Sequence, residues 1–262
     1  MSQIKIRKLH KSFGKNHVLK GLDLDINKGE TLVILGRSGC GKSVLLKQIL
    51  GIDKPDSGYV QIDGLKISEL EETELYRASK NMGMLFQAGA LFDSMTVGEN
   101  VAFHLEHHKT SSSGAILKNS EIKTRVHEAL QMVGLEGKEN VMPSELSGGM
   151  KKRAALARLI IYRPEVLLYD EPTTGLDAIT SKQINDLIIK TQKDLNATSV
   201  VITHNIMTAV TVADRIAIFD PERMISTILS AQDFIDGKLP DDPLLLSFYE
   251  NAFSMKTKNK NQ

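Results

Sequence analysis

Residues 36–43 read Gly-Arg-Ser-Gly-Cys-Gly-Lys-Ser and fill every fixed position of the pattern G-x-x-x-x-G-K-[ST]. They follow the apolar run Thr31-Leu-Val-Ile-Leu35 and precede Val44-Leu-Leu-Lys-Gln-Ile-Leu50, which stops at Gly51. Strand, glycine-rich loop and helix in that order commit the chain to an α/β fold with a phosphate-binding turn. The physical logic is electrostatic. Loop N–H groups and the positive end of a helix dipole together answer the charges of a polyphosphate. Gly36, Gly39 and Gly41 let the backbone turn tightly and approach phosphate with no Cβ in the way, and Arg37, Ser38 and Cys40 complete the cradle. Lys42 is expected to reach the β- and γ-phosphates, and the Ser43 hydroxyl to ligate Mg²⁺. The chain is therefore expected to bind a nucleoside triphosphate.

A chain of 262 residues can hold one large α/β domain with a subdomain and bury a substantial core. Its 33 Lys and Arg against 32 Asp and Glu give a net charge of +1, without the basic excess of a nucleic-acid-binding surface. Cys40 is the single cysteine, so no internal disulfide forms, which fits a reducing, cytosolic setting. No apolar run has signal-peptide length at the start or membrane-spanning length anywhere. Any work at a membrane is thus expected to pass through partners.

Apolar residues alternate at Ile4 and Ile6, at Leu22, Leu24 and Ile26, and along Tyr59-Val-Gln-Ile62, as in antiparallel strands with one wetted face. Val166-Leu-Leu-Tyr169 and Ser199-Val-Val-Ile202 are continuously apolar, as in strands covered on both faces. From about Ser68 to Ser144 the pattern turns helical and interrupted, with a Ser-rich stretch around Lys109–Gly114 expected to be a mobile loop. The organisation expected is a nucleotide-binding domain over 1–240, with a helical subdomain at about 88–160, and a short extension over 241–262. The extension's Leu244, Leu245, Phe248 and Tyr249 suit either its own domain or a neighbouring subunit, and its polar end from Lys256 reads as frayed.

A second phosphate-facing element is Leu146-Ser-Gly-Gly-Met150, followed by a long helical run that Arg163-Pro164 stops. Ser147 is a good N-cap, and with Gly148 and Gly149 it offers an anion-binding helix start. Val166-Leu-Leu-Tyr-Asp-Glu171 then ends a buried strand in two acids. Asp170 can hold a Mg²⁺ shell, and Glu171 can polarise an attacking water as general base.

These motifs, in this order, resemble those of the ATP-binding cassette (ABC) ATPases. Leu146–Met150 resembles the family signature, whose commonest form ends in Gln, and 166–171 resembles Walker B. Gly175-Leu-Asp177 resembles the D-loop, which communicates across a dimer; His204 resembles the switch histidine that contacts the γ-phosphate; and Gln87 resembles the Q-loop glutamine, which senses Mg²⁺ and nucleotide beside a membrane partner. Phe13 lies where the family places an adenine-stacking aromatic, commonly Tyr, although a packing role at a turn competes. With one phosphate loop and one signature per chain, the resemblance implies a second copy, ATP and Mg²⁺ at two composite sites, and a separate membrane permease. The stretch after Gln87, the Met at 150 and the extension from Asp241 resemble the ATPases of Mla-type (Mce-associated) lipid transporters. That likeness implies lipid cargo, an Mce-domain partner and a peripheral place on the cytoplasmic face of the inner membrane. Importers of amino acids or other small solutes are the second reading, and a non-transport cassette acting on DNA or ribosomes the third.

Two further expectations concern side-chain chemistry. Cys40 sits inside the phosphate loop near a helix N-terminus, a setting that can lower a thiol's pKa; its alkylation is expected to block ATP binding, and ATP to protect it. His104, His107 and His108 are read as subdomain surface rather than a metal site, since no cysteine stands near them.

Overall fold

The structure, a computed structural model, describes residues 1–108 and 117–258. The Ser-rich stretch from Lys109 and the last residues of the polar tail lie outside them. The chain divides into two compact units, one of Met1–Lys80 with the described residues from Thr198 onward, the other of Asn81–Ala197.

β1 (Ser2–Phe13) pairs antiparallel with β2 (Asn16–Asn27), and β3 (Thr31–Leu35) leads through the phosphate loop to α1 (Lys42–Leu50). β4 (Ser57–Ile62), β5 (Leu65–Lys66) and α2 (Glu72–Ser79) complete the first segment, and the layer β2-β1-β4-β5 is antiparallel throughout. On β1 the buried apolar residues are Ile4, Ile6 and Leu9, a spacing that breaks strict alternation. A register shift between Ile6 and Leu9, with Lys8 at φ +44°, returns Leu9 to the buried set.

The second unit holds β6 (Met82–Leu85), α3 (Val97–His108), α4 (Asn119–Met132), α5 (Gly148–Ile160), β7 (Val166–Asp170) and α6 (Ala178–Leu195). α4 buries Ile122, Val126, Ala129 and Leu130, one stripe at helical spacing. β6 runs parallel to β7, Met82 opposite Val166 and Leu85 opposite Tyr169. The sequence pattern gave no sign of β6 as a strand, because Met-Gly-Met-Leu carries no β-branched residue. Its glycine is set by packing: a Cβ on Gly83 would collide with the Leu159 side chain of α5.

The chain then returns to the first unit with β8 (Thr198–Thr203), α7 (Ile206–Val212), β9 (Arg215–Asp220), β10 (Met224–Ser230), α8 (Ala231–Ile235) and α9 (Pro243–Lys258). β3 lies between β8 and β9, parallel to both, and β10 closes antiparallel on β9. Every residue of β3 and β8 is buried, as their unbroken apolar runs require. α9 accounts for the extension. Asp242 Oδ1 accepts from the amides of Leu244 at 2.9 Å and Leu245 at 3.0 Å, with Pro243 at the first helical position. Leu245 is fully buried, and Tyr249 meets the Phe234 ring edge-on at 5.6 Å, so these two side chains of the expected cluster pack on their own unit.

Candidate nucleotide site

In the first unit the parallel register sets Leu35 of β3 opposite Thr203 of β8, and the Gly36 amide donates to the Thr203 carbonyl at 3.3 Å. The phosphate loop and His204 therefore leave the sheet at neighbouring strand ends. Gly39 and Gly41 lie at φ +77° and +105°, where only glycine is comfortable, and a Cβ on Gly41 would stand 2.5 Å from Val18 Cγ1. Arg37, Ser38, Gly39 and Ser43 are exposed at the mouth of the loop. Lys42 is only 4% exposed, and its Nζ donates to the carbonyls of Gly36 at 2.9 Å and Arg37 at 2.8 Å. The loop thus presents amides, a helix start and a retractable cation, a cradle that fits a polyphosphate. His204 is exposed. The Phe13 ring is 51% exposed at the end of β1, with Lys11 Nζ 5.4 Å from its centroid. An exposed face is what stacking on a base requires, and it weighs against packing.

Cys40 departs from expectation. Burial, the largest effect, pushes its thiol pKa up; Lys42, with Nζ 3.7 Å from Sγ, pulls the other way and does not win. The helix terminus therefore does not make this thiol acidic, because the same half-buried position that brings it near the dipole strips water from the thiolate.

In the second unit Ser147 caps α5 as expected, its hydroxyl accepting from the Met150 amide at 3.3 Å. Ser147 and Gly148 are exposed, whereas a Cβ on Gly149 would strike Thr180. Asp170 ends β7 and Glu171 follows it, at 9% and 8% exposure. Glu171 sits at φ +48°, a region non-glycine residues rarely adopt, and its Oε2 accepts from the Thr174 hydroxyl at 3.1 Å. Asp177 caps α6, accepting from the Ile179 and Thr180 amides at 2.9 Å each and from the Thr180 hydroxyl at 2.6 Å, and the Thr180 contacts hold its carboxyl below the usual range.

Two basic residues that the motifs did not single out tie this unit together. Lys152 Nζ donates to the carbonyls of Glu171 at 3.3 Å, Pro172 at 2.8 Å and Thr174 at 2.8 Å. Arg158 donates to Gly89 and Ala90 carbonyls at 3.1 and 2.7 Å, bracing the turn just after Gln87, and lies over the Phe92 ring. The signal available for Lys152 was its helical phase: it stands three residues after buried Gly149 and four before buried Leu156. Gln87 itself is exposed, and its chain neighbour Phe86 lines a cavity of about 390 Å³ with Met84, Phe92, Phe103 and Arg158. His104 is not simple surface: it stacks on Tyr162 at 4.0 Å. His107 is exposed, the His108 side chain lies outside the described residues, and among the described residues no His, Cys, Asp or Glu cluster suits a metal ion.

A phosphate loop at one strand end, a capped Ser-Gly-Gly helix start and a buried Asp-Glu strand end define a nucleotide-binding cassette. Residues 19–174 match the family model described as "ABC transporter", and the chain belongs to that family, whose ATPase cassette it carries. It is 41% identical over 222 residues to a probable ribonucleotide transport ATP-binding protein, mkl, of Mycobacterium leprae, covering 85% of this chain and 62% of that protein. It thus spans less than two thirds of that relative's length. It is 39% identical over 229 residues to the intermembrane phospholipid transport system ATP-binding protein MlaF of Haemophilus influenzae, covering 87% of this chain and 84% of that one. Among solved structures, the dimeric ATP-binding cassette MJ0796 in a post-hydrolysis state with ADP and Pi superposes with a TM-score of 0.78 at 33% identity, covering 87% of this chain and 98% of that one.

Proposed function

We propose that the chain is the ATP-hydrolysing subunit of a transporter that moves phospholipid or a related lipid through a separate membrane permease. The observation that carries the hydrolytic reading is the turn after β7, where a nearly buried carboxylate, Glu171, is fixed in both backbone and side chain. Glu171 acts as the general base on the attacking water. Lys42 leaves its loop carbonyls for the β- and γ-phosphate oxygens, His204 contacts the γ-phosphate, and Phe13 stacks on the adenine. Mg²⁺, when bound, would offset phosphate charge, and Ser43 in the first unit and Gln87 and Asp170 in the second carry the hard oxygen donors that would hold it.

Ser147, Gly148 and Gly149 of one copy close on the phosphate loop of a second, Asp177 lies on the path between the copies, and hydrolysis reopens them. The dimeric state of the MJ0796 cassette supports that pairing. Among the described residues no helix is long and apolar enough to cross a membrane. The work is delivered to a permease, through the segment that follows Gln87, from the cytoplasmic face of the inner membrane. An Mce-domain protein is the further partner this reading expects.

Lipid cargo is supported by the match to MlaF over 84% of that protein's length. The ribonucleotide transport named for the mycobacterial relative favours a small-solute importer as the second reading. Glu171→Gln is expected to cut ATP turnover by about 100-fold or more while leaving ATP affinity within about threefold. Undiminished hydrolysis in that variant would remove Glu171 as the base. For the cargo, the complex purified from its membranes and analysed by mass spectrometry is expected to carry phospholipid with an Mce-domain protein. A solute-binding protein in its place supports the importer.

A further inference from the structure

We propose that Lys152 is a positioning residue for hydrolysis, holding Glu171 in the backbone conformation that aims its carboxylate at the water. The inference rests on Glu171 being the general base. Lys152 is 6% exposed on α5, and its ammonium sits among three carbonyls, those of Glu171, Pro172 and Thr174. An ammonium has three donors, and all three are used. The chain leaving β7 turns back at once, with Glu171 at φ +48° and the Thr174 amide donating to the Glu171 carbonyl at 3.2 Å. A non-glycine residue stays in that region only where its surroundings over-determine it.

The turn also points three carbonyl dipoles toward one place, and a cation between them converts mutual repulsion into attraction. Its reach extends to the side chain of the base. Thr174, whose hydroxyl holds Glu171 Oε2 at 3.1 Å, has its own carbonyl held by Lys152 at 2.8 Å. One cation therefore fixes the backbone of the base and the residue that orients its carboxylate. Burial draws the Lys152 pKa down, and the nearby Glu171 carboxylate offsets only part of that fall.

The test compares Lys152→Met, which keeps an unbranched stem and removes the cation, with Lys152→Gln, which keeps two donors. Lys152→Met is expected to lower kcat by about 10- to 100-fold with KM and ATP affinity within about twofold, and Lys152→Gln to lose less. In the Glu171→Gln background, adding Lys152→Met is expected to leave the residual turnover and ATP-driven dimer formation unchanged, because the group it positions is already disabled. A purely structural lysine gives the opposite pattern, with weaker dimerisation and a further loss in that background. Wild-type kcat in Lys152→Met, or that further loss, overturns the proposal. If Lys152→Met fails to fold, Lys152→Gln decides alone: reduced kcat at unchanged KM supports the role and unchanged kcat overturns it. Normal turnover in Glu171→Gln alone would instead remove the base assignment, and this inference with it.

Discussion

Lys42 and Lys152 are both buried, and both end on backbone carbonyls, yet the loops they hold are built in opposite ways. Lys42 holds Gly36 and Arg37 on a loop softened by Gly39 and Gly41 and exposed at Arg37, Ser38 and Gly39. The Arg37 carbonyl, on the exposed side of the loop, can turn to water when the lysine leaves, so that part of the clamp can be traded for phosphate oxygens. Lys152 holds a turn in which Glu171, Pro172 and Thr173 are all buried. The Glu171 and Pro172 carbonyls released there would lose their partner with no water to replace it, at about 1–3 kcal/mol each. The same contact therefore captures a ligand where its acceptors can be exchanged, and positions a base where they cannot.

The largest expected effect that tests this contrast is Lys42→Ala. ATP affinity is expected to fall by about 100-fold or more, about 3 kcal/mol, while the melting temperature moves by only a few degrees; titration calorimetry and thermal melts read the two quantities. A melting loss that outweighs the affinity loss would make Lys42 a fixed brace of its loop and not an exchangeable one, and break the comparison. Gly41→Ala comes next. At φ +105°, with Val18 Cγ1 2.5 Å from the added methyl, it is expected to cost about 2 kcal/mol in urea unfolding. Gly148→Ala is its control in the other unit, because its nearest neighbour is Leu176 Cδ2 at 3.9 Å, and it is expected to cost under about 0.5 kcal/mol. Equal costs at the two glycines would show that loop softness is not what separates the lysines.

Much of this contrast was legible in the sequence on one side only. The strand, loop and helix around 36–43 follow from local rules, since glycines, an apolar run and a lysine each announce their role by type and spacing. The unbroken apolar runs of β3, β7 and β8 likewise appear as fully buried strands, and Ser147 caps its helix as its position implies. Lys152 was not legible as a clamp. A Lys-Lys-Arg run after a glycine pair reads as solvated charge, and only the helical phase, fixed once α5 packs, turns the second of them inward. The strand β6 was hidden for a related reason: Gly83 answers to the Leu159 side chain across the packing, a non-local cause that composition does not carry.

Cys40 gives the smallest effect and the sharpest probe of the exchangeable clamp. Proximity to a helix N-terminus and to Lys42 argued for an acidic thiol, and burial reverses the sign. Because the thiolate is the nucleophile, a raised pKa leaves less of it at neutral pH than an ordinary cysteine has. Alkylation by iodoacetamide is therefore expected to be slower at pH 7 in the folded chain than in urea. It should then climb about tenfold per pH unit until the pH passes the folded pKa, above the ordinary thiol value. ATP is expected to protect the thiol, and the alkylated chain to lose ATP binding. Lys42 opposes the upward shift, so Lys42→Ala should move the midpoint of the rate profile to higher pH, while Lys152→Met, in the other unit, leaves it in place. Faster alkylation at pH 7 in the folded chain than in urea would show that the dipole and Lys42 outweigh burial. A midpoint that ignores Lys42→Ala would detach the thiol from the clamp altogether.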